Sequence, residues 1–264
     1  MTTTAPEVRW EALLDGRVAL ITGAGSGQGR AAALLFAAHG ARVMVADIDD
    51  GGAAETVDLL DVQGGHGCAV HADVSRSADV EHMVNATIDT FGRLDVLYNN
   101  AAMPMSGRLL DCTEEQWDAT IGTNLSAIFY ACRAAIPHML AGDGGSIINT
   151  ASVMGYIGAP GYAAYGPSKA GLVALTRQIA VEYGPQVRAN IVAPGGIETP
   201  RFKRAHADEP DYQAFVARLT AHNPMRRLGQ VDDIARIALF LASDASAYIS
   251  GAVIPADGGL VAMR

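Results

Sequence analysis

Cysteine is scarce in this 264-residue chain, with three residues at positions 68, 112 and 132. Their odd number, wide spacing and lack of a CxxC pair exclude a disulfide framework and give no zinc-ligand pattern. No metal site is expected, and a reducing, cytoplasmic setting fits. Basic charge is also short: 19 Lys and Arg face 28 Asp and Glu, for a net charge of −9. Without a basic field or a local Lys/Arg cluster, neither nucleic acid nor an anionic membrane surface is an expected partner. The N-terminal MTTTAPEVRWEALLDGR lacks the apolar core of a signal peptide. Residues 144–168 carry no charge, but glycine and proline interrupt them throughout, unlike a membrane helix. No G-x-S-x-G occurs, so nothing supports a serine hydrolase's nucleophile elbow.

Half of the residues are apolar, enough for a substantial core, and the length suits one domain over residues 1–264. Short β-rich runs alternate with helical patterns. RVALIT (17–22), ARVMVAD (41–47), GCAVHAD (67–73), LDVLYNN (94–100), GSIINTAS (145–152), VRANIVAP (187–194) and AVIPAD (252–257) read as strands. Helices are expected over 27–39, in the fifties, near 77–91, in one long stretch near 114–140, over 165–183, and near 231–242. Strands apolar on both faces and separated by helices imply parallel strands with a helical layer on each side. The fold class is therefore α/β, a doubly wound sheet, with ligands bound beyond the carboxyl ends of the strands. Residues 197–226, with mixed charge and three prolines, read as an inserted helical flap.

The first strand–helix junction is ITGAGSGQG (21–29). Glycines admit a pyrophosphate close to the backbone, and the following helix aims free N–H groups at it. The spacing G-x-G-x-x-G fails from Gly23 because of Gln28, and from Gly25 because of Arg30; T-G-x-x-x-G-x-G fits without strain. Strand two ends in Asp47. A carboxylate there accepts hydrogen bonds from both hydroxyls of an adenosine ribose and repels a 2′-phosphate. Neither Ser26 nor Ile48 offers a compensating positive charge, which favours NAD(H) over NADP(H).

At the fifth junction, YAAYGPSKA places Tyr165 and Lys169 four residues apart, on one helical face. A phenol is a poor base at neutral pH unless a nearby cation stabilises its phenolate, and Lys169 is the candidate cation. Ser152, closing strand five, would direct its hydroxyl into the same cleft. Singly these are a helix surface and a cap; together, behind a nucleotide loop, they point to proton transfer. Pro167 is tolerable only in a first helical turn, so this helix is expected to begin close to Tyr165.

Together these residues resemble the short-chain dehydrogenase/reductase family in its roughly 250-residue form, from about Gly16 to Gly259. The matching segments include Thr22–Gly29, Asp73 in HADV, NNAA from Asn99, Asn124 in GTNLSAIF, Ser152, Tyr165, Lys169, PGGIETP from Pro194, RRLGQVDDIA from Arg226, and SGAVIPADGG from Ser250. The resemblance implies a Rossmann-like sheet of about seven strands in the order 3-2-1-4-5-6-7. It implies interconversion of a secondary alcohol and a ketone by hydride transfer.

In that scheme Ser152 polarises the substrate oxygen and Tyr165 moves the proton. Lys169 lowers the Tyr165 pKa and binds the nicotinamide ribose, while Asn124 holds a water that links Lys169 to solvent. Cofactor contacts fall to Gly23, Ser26, Gly27, Gln28, Gly29, Asp47, Ile48, Asp73, Val74, Asn100, Ala101, Ala102, Tyr165, Lys169, Pro194, Gly195, Ile197 and Thr199. Asp73 lies at the adenine, and Ile197 and Thr199 lie at the carboxamide. The chain departs from the family at Ala102, where NNAG is commoner, and at Gln28, usually aliphatic.

Expected pocket walls are Ala102, Met103, Pro104, Met105, Val153, Met154, Gly155, Tyr162 and Gly196, mostly apolar and suited to a small to medium hydrophobic substrate. Arg201, Lys203, Arg204 and His206 on the flap either bind an acidic substrate or form a solvated helix face, and the second reading is preferred. A homo-oligomer is implied, commonly a tetramer and otherwise a dimer, built on the 114–140 and 165–183 helices and the last strand. The rival readings are an NADPH-dependent 3-oxoacyl-carrier-protein reductase and a catalytically silent dinucleotide sensor.

Overall fold

The computed structural model describes residues 8–104, 107–221 and 223–263. Seven parallel strands form one sheet: β1 (Val18–Thr22), β2 (Arg42–Asp47), β3 (His66–His71), β4 (Val96–Asn99), β5 (Gly145–Thr150), β6 (Val187–Pro194) and β7 (Val253–Ala256). Their order is β3-β2-β1-β4-β5-β6-β7, as the family resemblance implies. β1 shows why both faces must be covered, since all five of its residues are buried.

Its side chains divide between two cores. Leu20 packs with Met44, Leu97, Ile147 and Ile191 on one face, whereas Ala19 and Ile21 pack with Val43, Val45, Val96 and Ile148 on the other. The first core is closed by α3 (Ser77–Phe91), α5 (Ala127–Ala141) and α6 (Tyr165–Tyr183). The second is closed by α1 (Gly27–Ala38), α2 (Asp50–Val62) and α9 (Val231–Ala242). Helices on both faces leave the carboxyl edge of the sheet as the place where its loops gather.

One expected helix differs. The 114–140 stretch is α4 (Glu114–Ile121), a π-helical turn (Gly122–Ser126) and then α5. The Ala127 N–H reaches back to the Gly122 carbonyl, so the turn widens by one residue at a glycine with poor helical propensity. The widened turn carries Asn124, which is fully buried. α6 starts at Tyr165, with Pro167 in its first turn where no intrahelical donor is required.

The 197–226 stretch is helical, with α7 (Pro200–Ala205) capped by Thr199 and α8 (Tyr212–Leu219) capped by Asp211. No helix among the described residues is long and apolar enough to cross a membrane.

Candidate active site

The glycine loop is built around close approach. A β-carbon on Gly29 would lie 2.1 Å from the Gly23 carbonyl oxygen, so only glycine lets α1 start against the end of β1. Gly27 adopts φ +56°, a left-handed conformation that turns the chain into the helix. Ser26 stands at the N-cap position yet makes no capping hydrogen bond with its side chain. The first-turn N–H groups of α1 thus face outward over a concave backbone, an arrangement that fits a phosphate group.

Asp47 braces this loop. One carboxylate oxygen accepts from Gly25 N at 2.7 Å and the other from Asp49 N at 2.9 Å. Arg30 provides a positive charge nearby that the sequence reading did not weigh. Its guanidinium is committed to Thr56 Oγ1 at 2.9 Å, to the Gly25 and Gly52 carbonyls, and to Glu55 at 2.6 Å. Ile48 is exposed beside Asp47, and Asp73 accepts from both the N–H and the hydroxyl of Ser75.

Thr22 and Asn100 join the loops after β1 and β4. Thr22 Oγ1 accepts from Asn100 N at 3.0 Å and Ala101 N at 3.1 Å, while Asn100 Nδ2 donates to the Thr22 and Gly23 carbonyls. Asn100 therefore shapes the cradle. Val74 and Ala101 border a small internal void of about 10 Å³ beside it. On the far side, Thr199 Cβ lies 3.8 Å from where a Gly27 β-carbon would sit, which brings the segment after β6 over the glycine loop. There Ile197 is buried, Gly196 is exposed, and Gly195 N donates to the Ala256 carbonyl just past Pro194.

Ser152, Tyr165 and Lys169 come together beyond β5. Ser152 caps a single 3-10 turn (Val153–Gly155), accepting from Met154 N at 3.2 Å. Lys169 is buried, with Nζ donating to the Thr150 carbonyl at 2.8 Å and lying 5.7 Å from the centre of the Tyr165 ring. Burial draws the Lys169 ammonium down to about 7.

The surroundings of Tyr165 act on its phenol in both directions. Burial, the strongest influence, pushes its phenol above the ordinary value of 10.0, and the neighbouring Tyr162 adds to the rise. Ser152 and the charge of Arg201 pull in the opposite direction without overcoming it. At neutral pH the group is thus a phenol ready to give a proton.

Asn124 is held by protein partners on both ends of its amide. Its Oδ1 accepts from Met103 N at 2.8 Å, and its Nδ2 donates to the Met103 carbonyl at 2.9 Å and to Ser168 Oγ at 3.3 Å. The amide pins the loop after β4 to α6, and among the described residues it makes no hydrogen bond to Lys169. A buried chain missed in the sequence supports the same region: Asn99 donates to Asn149 at 2.8 Å, and Asn149 donates to Thr176 at 2.9 Å.

Of the expected pocket walls, Met103 is half-buried and Tyr162 is 38 % exposed, its ring centre 5.8 Å from that of Tyr165. Val153 is 2 % exposed, so it presents almost no surface to a ligand in this structure. Met105 lies outside the described residues. A groove of about 720 Å³ runs alongside, lined by residues including Leu109, Met154, Gly155, Tyr156 and Tyr162. Ser152 and Tyr165 are not among its walls, so it borders the reacting groups without enclosing them.

Gln28 is half-buried, and its Oε1 is buried with no hydrogen-bond partner among the described residues. On the flap, Lys203 pairs with Glu198 at 3.6 Å, and His206 stacks on Phe202 and Phe215. Arg201 turns the other way and donates from Nη1 to the Ala102 carbonyl at 3.2 Å.

Residues 23–261 match the family model described as enoyl-(acyl carrier protein) reductase, a short-chain dehydrogenase/reductase model. The chain is similar to a hydroxy(phenyl)methylsuccinyl-CoA dehydrogenase subunit of Thauera aromatica, 41 % identical with 93 % of this chain and 97 % of that one covered. It is also similar to a 3-oxoacyl-(acyl-carrier-protein) reductase of Thermotoga maritima, 39 % identical over 94 % of this chain and 99 % of the relative. Among solved structures, levodione reductase superposes with a TM-score of 0.89 at 35 % identity, covering 95 % of this chain and 100 % of that one.

Proposed function

The chain belongs to the short-chain dehydrogenase/reductase family, and from that premise we propose that it interconverts a secondary alcohol and a ketone, with NAD(H) as its dinucleotide and Tyr165 as acid and base. The observation that carries this reading is the convergence of Ser152, Tyr165 and buried Lys169 beyond the strand ends, on the same edge as the glycine cradle. When bound, the nicotinamide dinucleotide supplies or accepts the hydride at the carbon of the substrate.

The protein's part is orientation and proton transfer. Ser152 Oγ donates to the substrate oxygen and fixes which carbon faces the cofactor. On reduction the Tyr165 phenol gives its proton to that oxygen; on oxidation its phenolate takes the proton back. The charge of Lys169 favours the phenolate once the proton has left. Asn124 acts by positioning, because it fixes Met103 and Ser168 around the site.

NAD(H) is favoured over NADP(H) by charge. Asp47 presents a carboxylate at the end of β2, and the guanidinium of Arg30 is consumed by Glu55, Thr56 and two carbonyls. The adenosine end would lie against Asp47, Ile48, Asp73 and Val74, and the nicotinamide end against Ile197 and Thr199. Met103, Met154 and Tyr162 suit a small to medium hydrophobic substrate.

The chain is read as one cytoplasmic domain. We further read it as a homo-oligomer, since Phe129 on α5 and Val181 on α6 are 46 % and 82 % exposed.

The similarity to the 3-oxoacyl-(acyl-carrier-protein) reductase favours a second reading, reduction of a carrier-bound ketone with NADPH. A panel of secondary alcohols, ketones and carrier-bound 3-ketones, assayed with NADH and NADPH by absorbance, separates the two. Turnover of free alcohols or ketones with NAD(H) supports the proposal. Turnover confined to carrier-bound ketones with NADPH overturns it in favour of the second reading, and no oxidoreduction at all leaves a silent dinucleotide sensor.

A further inference from the structure

Arg201 differs from the other cations of the flap in reaching the loop after β4. Lys203 has Glu198 as a partner, and His206 is held by its own helix and by two aromatic rings. Arg201, next to Pro200 in the first turn of α7, reaches across the mouth of the site to the Ala102 carbonyl at 3.2 Å. Among the described residues no carboxylate forms an ion pair with it. A guanidinium has five N–H donors, and the Ala102 carbonyl occupies one direction of the fork.

Arg201 is partly desolvated, which lowers its pKa, and the repulsion of Arg204 lowers it further. Its charge also acts directly on Tyr165. Arg201 is exposed and has no carboxylate partner among the described residues, so beside the group that handles the substrate's proton its remaining donors are open to a ligand.

We propose that Arg201 recognises a carboxylate on the substrate, so that the enzyme prefers a keto acid and its hydroxy acid over neutral counterparts. This rests on the alcohol–ketone reading above and narrows its substrate class. A carboxylate is favoured over a phosphate because a single planar fork matches two carboxylate oxygens, whereas a dianion would meet the net negative charge of the chain with only one cation. The apolar walls at Met103 and Tyr162 then hold the carbon chain between the anion and the reacting carbonyl.

The test pairs 3-oxobutanoate, 4-oxopentanoate and 5-oxohexanoate with their methyl esters as substrates for reduction by NADH. The full-length protein is compared with Arg201→Met, Arg201→Lys and, as a control on the solvated face, Arg204→Met. At least one acid is expected to exceed its ester in kcat/KM by about tenfold or more, the scale of a charge-assisted bidentate contact. Arg201→Met should erase that ratio, Arg201→Lys should keep part of it, and Arg204→Met should leave it standing.

Esters reduced as well as acids, or a ratio unchanged in Arg201→Met, would overturn the proposal while leaving the alcohol–ketone reading intact. Should neither acids nor esters turn over, the alcohol–ketone reading is decided by the broader panel above. Calorimetric binding of the same acids to the NADH-bound protein then decides about Arg201: binding lost in Arg201→Met supports the anion site, and absent or unaltered binding refutes it.

Discussion

Replacing Lys169 by methionine is expected to stabilise the protein at neutral pH while removing its turnover. The ammonium is buried and has a single polar partner among the described residues, the Thr150 carbonyl. Its pKa falls from 10.5 to about 7 on folding. At about 1.36 kcal/mol per pH unit, that difference costs folding about 4 kcal/mol at pH 7.

The sign follows from proton binding. Between about 7 and 10.5 the unfolded chain holds this proton more tightly than the folded one, so stability rises with pH across that window. Below about 7 both states are protonated and the contribution is flat. Methionine of similar volume removes the cost but leaves the Thr150 carbonyl unpaired, at a loss of about 1–2 kcal/mol. A net gain of about 2–3 kcal/mol at pH 7 is expected, shrinking toward zero or below as the pH approaches 9.5.

Urea denaturation followed by circular dichroism, at pH 6, 7, 8.5 and 9.5 and at fixed protein concentration, measures the difference between the two proteins. A methionine variant less stable than the parent at pH 7, with a difference that does not change with pH, would refute the reasoning.

The raised phenol of Tyr165 sets opposite pH dependences for the two directions. Alcohol oxidation, which needs phenolate, should quicken as pH rises from 7 to 9, while ketone reduction, which needs phenol, should not require alkaline conditions; initial rates at saturating cofactor test this. Asp47→Ala should narrow the preference for NAD over NADP by about tenfold, the scale of a charge-assisted hydrogen bond. An unchanged ratio of kcat/KM values would remove Asp47 from the ribose. Gln28→Ile should stabilise the protein by about 1 kcal/mol by removing an unpaired buried oxygen, seen as a higher urea midpoint with the same slope. A weaker NADH affinity in that variant would assign the amide to the cofactor.

The parts legible in the sequence depend on local chemistry. The parallel strands and the two helical layers follow from apolar runs such as Val18–Thr22, the strand order follows from the family resemblance, and the start of α6 at Tyr165 follows from what Pro167 permits in a helix. The π turn around Asn124 left no such mark, because one extra residue within a helix scarcely disturbs its apolar pattern. The contacts of Arg30 and Arg201 were hidden for another reason: Glu55 and Ala102 are brought near them only by the folded sheet, so the sequence could name Arg201 as a flap cation without separating it from its neighbours. The Tyr–Lys spacing reveals the cation beside Tyr165 but not the burial of its phenol, which depends on the folded surroundings.

The central claim is that Tyr165 handles the proton while the cradle after β1 holds the dinucleotide independently of it. Tyr165→Phe isolates that division, since it deletes one oxygen from a residue at the start of α6 and leaves the glycine loop untouched. The direct measurement is NADH affinity by fluorescence titration alongside turnover of the best ketone on the same preparation. The account predicts that the variant binds NADH within about threefold of the parent and loses turnover by at least about a thousandfold. Turnover within tenfold of the parent would contradict it.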